Sequence, residues 1–306
     1  MDRRAFLAGG TAILGASGCA GDPDVTPAPS SRGQTIVIDG VALHYERLGS
    51  GPPLVLIHGA SGNLRDWTYQ AAGRFAATND VIVFDRPGHG LSGAPETGVS
   101  SLSLQAALMR AALADMGVDR AIVTGHSYGG SVALAWALDA PDSVNGLMLL
   151  AAPSHEWPGG VGFTSELLAN PALGPFAARS ASALVTDGFA RRTVNGVFEP
   201  QQVPVGYLEH LRLDLILQPS ALRANALQLT ALKQQITMMQ TRYGELAMPV
   251  EILHGNADDT VWLSVHSEAL ARETPVARLT TLDGIGHMPH HAALPQVEAA
   301  LTRLNG

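Results

Sequence analysis

Short, wholly apolar runs recur along this chain, separated by helix-length segments, and that alternation limits the fold more than any other feature. Residues 54–57, 81–84, 121–124 and 147–151 read as strands, with helices expected over 66–77, 102–116 and 131–138. A strand that is apolar at every position must be covered on both faces, which helices packed on either side of a parallel sheet achieve. Upstream, Asp39-Gly40 separates two short apolar runs, a strong signal for a hairpin. The alternation stops at residue 153, gives way to helix formers punctuated by Gly and Pro, and resumes at 248. Strands are then expected at 250–253 and 277–282, and helices at 263–272 and 293–304. The organisation predicted is a core formed by residues 34–153 and 248–306, with a helical cap, 154–247, inserted after about the sixth strand of the parallel region.

Composition excludes several classes. Apolar residues make up 46% and charged residues 15%, so the chain can bury a large core and is not disordered. The net charge of -8 argues against nucleic acid as a partner. Lys233 is the single lysine, which leaves Schiff-base chemistry one position to use.

The first 33 residues read as an export signal and linker. Asp2-Arg3-Arg4-Ala5-Phe6-Leu7 precedes an uncharged stretch, residues 5–18, too short to cross a bilayer as a helix, which takes about 20 apolar residues. Paired arginines before a weakly apolar region resemble a twin-arginine signal, so a periplasmic or membrane-anchored location is expected. Cys19 follows Ala16-Ser17-Gly18, a degenerate match to a lipoprotein cleavage site, and lipid attachment there would tether the protein to a membrane. As the sole cysteine, Cys19 leaves no disulfide and no Cys-based metal site.

Gly125-His126-Ser127-Tyr128-Gly129 lies between an expected strand and an expected helix. Gly-x-Ser-x-Gly at such a junction is a nucleophile elbow, a strained turn that holds a hydroxyl out above the sheet at the positive end of a helix. A serine needs a base, and His287, in the loop Gly284-Ile285-Gly286-His287-Met288-Pro289, supplies one. The base needs a carboxylate; Asp258 stands just beyond a strand, with Asp259 and the more remote Glu156 as competitors. Two backbone N–H groups should face the developing oxyanion: that of Tyr128, and that of Ala60 or, second, Ser61 in the loop after 54–57. A metal cluster at His287, His290 and His291 is disfavoured because no acidic residue or cysteine falls within that loop. Gly88-His89-Gly90-Leu91-Ser92-Gly93 spells a dinucleotide fingerprint, but no helix opens on it, so no nucleotide is expected there. Neither cofactor nor metal is predicted.

These motifs resemble the α/β-hydrolase superfamily, its cofactor-free branch with a helical cap. The resemblance rests on His58-Gly59 with Trp67 downstream, Asp85-Arg86-Pro87-Gly88-His89-Gly90-Leu91-Ser92, Gly125 to Gly130, Asp258, and Gly286-His287. It implies a mostly parallel sheet flanked by helices, the chain order Ser127, Asp258, His287, and a structural turn at 85–92. An aspartate at the elbow would suggest a dehalogenase or an epoxide hydrolase; here the residue is Ser127. The expected reaction is hydrolysis of a small-molecule carboxylic ester with an apolar acyl or alcohol group, through an acyl-enzyme. Carbon–carbon bond hydrolase, lactonase, acyltransferase and perhydrolase activities share this scaffold, and a ligand receptor without turnover is a further alternative. Apolar residues of the segment 154–247, among them Phe163, Leu168, Leu173, Phe176, Leu184, Phe189, Leu232, Met238 and Met239, are expected mostly to form its own core, with some lining a pocket. Trp67 is expected to face that pocket.

Overall fold

In the computed structural model, residues 33–306 are described. The segment read as an export signal, Cys19 and nearly all of the segment read as a linker lie outside them. Strands β1 (Gln34–Ile38) and β2 (Val41–Gly49) pair antiparallel through the turn at Asp39 and Gly40. Both turn residues have positive φ, 49° and 78°, as the tight hairpin turn of matching twist requires. The next strands are β3 (Pro53–Ile57), β4 (Asp80–Phe84), β5 (Ala121–His126), β6 (Val144–Leu150), β7 (Val250–Gly255) and β8 (Ala277–Leu282). The eight form one sheet in the order β1-β2-β4-β3-β5-β6-β7-β8, parallel from β4 to β8.

The sheet is sandwiched as the apolar runs demand. On one face Val55, Ile57, Ile82, Phe84, Val123, Leu147 and Leu149 pack with α3 (Leu102–Asp115) and α4 (Tyr128–Asp139). On the other, Leu54, Leu56, Val81, Val83, Ile122, Met148 and Leu150 meet residues of α1 (Arg65–Thr68), α2 (Ala71–Phe75) and the C-terminal helix. Alternate residues of each strand thus feed separate cores.

Between β6 and β7 the chain forms α5 (Phe163–Ala169), α6 (Gly174–Leu184), α7 (Asp187–Phe198), α8 (Tyr207–Leu211), α9 (Leu213–Ile216) and the long α10 (Pro219–Met239). The remaining helices are α11 (Ser267–Glu273), α12 (Pro289–Ala292) and α13 (Leu294–Leu304). No helix among the described residues is long and apolar enough to cross a membrane.

Three expectations need correction. The helix predicted over 66–77 is two short helices, because Gln70 leaves helical geometry at φ -147°. The helix after β5 starts at Tyr128 rather than 131: Gly129 and Gly130 are helical, their poor propensity overridden by tight packing against β3 and Ala152. In the insertion, Leu168, Leu232 and Met239 are buried, but Phe163, Leu173, Phe176, Leu184, Phe189 and Met238 face solvent. Its small cluster of Leu168, Ala178 and Ala226 leaves the outer sides of these short helices uncovered.

Candidate functional site

β5 ends at His126, and Ser127 sits in the turn into α4 with φ 50° and ψ -124°, a conformation that costs a non-glycine residue about 1–3 kcal/mol. The neighbours hold it there. The Ser127 N–H donates to the Leu150 carbonyl at 2.8 Å, and its own carbonyl accepts from the Gly130 N–H at 2.8 Å. A side chain at Gly129 would overlap the backbone of Ile57 and His58, so only glycine lets α4 approach β3 this closely.

The three side chains singled out in the sequence converge. Ser127 Oγ lies 2.9 Å from His287 Nε2, and His287 Nδ1 lies 2.7 Å from Asp258 Oδ2. Burial would raise the Asp258 pKa, but bonds from His254 and His287 outweigh it and hold the carboxyl well below its ordinary range. The ionised carboxylate accepts only, so Nδ1 carries the hydrogen and Nε2 is free to accept from the Ser127 hydroxyl. Asp258 Oδ1 accepts from the Thr260 and Val261 N–H groups, each at 2.9 Å. The competitors point elsewhere: Asp259 is exposed, and Glu156 lies 3.8 Å from Lys233.

The loop after β3 runs beside this hydroxyl; a Cβ on Gly59 would sit 3.2 Å from that of Ser127. The Ser61 N–H, the second oxyanion candidate, donates to Asn225 Oδ1 at 2.7 Å. Arg86, fully buried, fixes the loop from behind. Its guanidinium donates to the carbonyls of His58 and Gly59, at 2.9 and 3.0 Å, and to the side-chain oxygens of Gln105 and of Gln228 on α10. It also lies 4.4 Å from the centre of the Tyr128 ring. Burial lowers its pKa to about 10, so it stays charged at neutral pH. The turn at 85–92 is structural: Asp85 accepts from the Leu64 and Leu91 N–H groups and bonds His44 at 2.8 Å.

Trp67 does not face a pocket. It is fully buried in the layer beneath the sheet, its ring 4.5 Å from that of His290. Nor do His290 and His291 join His287. They bond Asp66, which also accepts from the Tyr207 hydroxyl at 2.8 Å. Asp66, His126 and His290 could offer three ligand atoms within 4.8 Å of one another, the one such group among the described residues. Both Asp66 oxygens accept hydrogen bonds, Oδ1 from His291 and Tyr207 and Oδ2 from His290, so the cluster is knit as a hydrogen-bond network. His126 Nε2 ties it to the site, donating to the His287 carbonyl at 2.8 Å. Burial, with His290 and His287 nearby, pushes the His126 pKa well down. Sequence reasoning missed Asp66 and also His254, whose Nε2 lies 3.0 Å from Asp258 Oδ2.

Residues 52–293 match the family model described as alpha/beta hydrolase fold. The chain belongs to this family. An uncharacterized protein of Mycobacterium tuberculosis is 30% identical, the match covering 88% of this chain and 78% of that protein. A 2-hydroxy-6-oxononadienedioate/2-hydroxy-6-oxononatrienedioate hydrolase of Paraburkholderia phymatum is 28% identical over 78% of this chain and 83% of its own length. Among solved structures, a hydrolase from Pseudomonas aeruginosa superposes with a TM-score of 0.72 at 20% identity, covering 91% of this chain and all of that one. The esterase RhEst1 from Rhodococcus gives 0.64 at 23% identity, over 90% of this chain and 98% of its own. Alpha/beta hydrolases of this kind support hydrolytic chemistry for the chain.

Proposed function

We propose that this chain is a serine hydrolase that cleaves carboxylic esters through an acyl-enzyme. The observation that carries the reading is the unbroken hydrogen-bonded line from Ser127 Oγ through His287 to Asp258. Ser127 Oγ attacks the ester carbonyl while His287 Nε2 takes its proton. Asp258 orients the imidazole and balances the charge it gains. The N–H groups of Tyr128 and Ala60 receive the oxyanion. Collapse expels the alcohol, which takes the proton from His287, and leaves the acyl group on Ser127. Water, deprotonated by His287, then releases the acid and restores the hydroxyl.

A panel of nitrophenyl esters of increasing acyl length tests the activity. A fluorophosphonate probe, followed by peptide mapping, tests the nucleophile: labelling at Ser127 with loss of turnover is expected. Turnover unchanged in Ser127→Ala would overturn the reading. Carbon–carbon hydrolysis is the second reading, favoured by the Paraburkholderia relative. A 2-hydroxy-6-oxo acid in the same panel separates the two.

A further inference from the structure

The Asp258 carboxylate accepts a fourth hydrogen bond that the proposed reaction does not require. His254, on β7, is fully buried, and its Nε2 lies 3.0 Å from Asp258 Oδ2 and 2.7 Å from the Val261 carbonyl oxygen. Both neighbours only accept, so Nε2 carries the hydrogen. On the other side of the ring, Nδ1 lies 2.6 Å from Ser267 Oγ at the start of α11 and takes the hydroxyl hydrogen. Oδ2 is therefore shared between two histidines, with His287 at 2.7 Å on the side of Ser127 and His254 on the side of the core.

We propose that His254 is a positioning residue for Asp258, extending the line to Ser127, His287, Asp258, His254 and Ser267. The inference rests on the triad reading above. A carboxylate held at Oδ1 by two loop N–H groups can still tilt about its side-chain torsions. The bond from His254, braced by Ser267, stops that tilt and keeps Oδ2 aimed at His287 Nδ1. It also draws part of the negative charge of Oδ2 toward β7, which sets how strongly the His287 Nδ1–H is pulled. His254 touches neither the Ser127 hydroxyl nor the oxyanion loop, so its effect belongs to turnover rather than to binding.

The test pairs two substitutions. In His254→Asn the amide is too short to reach Asp258, and kcat should fall about tenfold to a hundredfold, the rate equivalent of one hydrogen bond to a charged group, with KM within about twofold. His254→Gln returns an N–H to the Nε2 position and should recover most of kcat. The downfield proton resonance of His287 Nδ1–H should move in the Asn variant and lie near its wild-type place in the Gln variant. Wild-type kcat and an unmoved resonance in His254→Asn, or no recovery in His254→Gln, overturns the proposal. A further measurement needs no variant: nitrogen-15 shifts of the wild-type protein should show His254 protonated at Nε2 and bare at Nδ1, and the opposite tautomer overturns it. Ser127→Ala separates the two levels. If that variant keeps its activity, the triad reading fails; if it is inactive while both His254 variants behave as wild type, the positioning role alone fails.

Discussion

The stretch from β5 through α4 and the helices α5 to α7 are built on opposite terms. Between Ala121 and Leu138 every residue is buried except Ser127. Glycines there are fixed by backbone contacts on both sides, and the one group that reaches solvent is the candidate nucleophile. In α5 to α7, by contrast, Phe163, Phe176 and Leu184 are each at least 75% exposed. The core holds the Ser127 hydroxyl at one point because its neighbours along this stretch are buried and closely packed. The insertion keeps few such constraints, its apolar side chains on α5 to α7 lying largely in solvent.

That contrast can be broken in several ways. The largest effect should come from the exposed point itself: Ser127→Ala should lower ester turnover by on the order of 10⁴–10⁶-fold, read in initial rates, with the melting temperature little changed. Acid comes next, and should strike the core. Burial holds His58 and His126 well below the ordinary histidine range, His89 at about 3, and His266 and His291 at about 4. Each is neutral in the fold and takes up a proton on unfolding once pH drops below about 6.5. Stability present above that pH is therefore lost as pH falls toward 4, by up to about 1.4 kcal/mol per histidine per pH unit. Asp66 and Asp258, whose pKa values are depressed, add their loss at still lower pH. Melting curves from pH 7.5 to 4.5 should fall steeply; a flat profile would mean that these rings are not held neutral.

A smaller effect is expected at Gly129→Ala, where the added methyl overlaps the Ile57 and His58 backbone. Overpacking at such a position should cost about 3 kcal/mol, measured by denaturant unfolding. The smallest belongs to the insertion: Phe176→Ser and Leu184→Ser, alone or together, should each change stability by no more than about 0.5 kcal/mol. A loss comparable to that of Gly129→Ala would mean the two regions are held alike.

The sheet and the convergence of Ser127, His287 and Asp258 were legible because their signals are local. Each central strand carries a mainly apolar run, and Ser127, Asp258 and His287 each follow a strand with glycine nearby. What escaped depends on how loops fold back or on partners far along the chain. His290 and His291 were weighed within their own loop, whereas their carboxylate, Asp66, stands 224 and 225 positions earlier. His254 was not singled out, because its contact with Asp258 needs the loop after β7 to fold back. Trp67 failed for a related reason. An indole on a one-turn helix fits a pocket wall or a core equally well, and only the packing of α1 under the sheet decides.

Arg86 carries a consequence for anyone who would recombine these parts. One buried cation grips the loop carrying Ala60 and, through Gln228, the longest helix of the insertion. A foreign segment grafted between β6 and β7 must bring an acceptor to the place of Gln228, or it leaves a guanidinium facing an empty seat. Compatibility between roof and floor thus rests on Gln228 together with Asn225, whose side chain meets the Ser61 N–H and hydroxyl of the same loop, and not only on how well the ends of an insertion join.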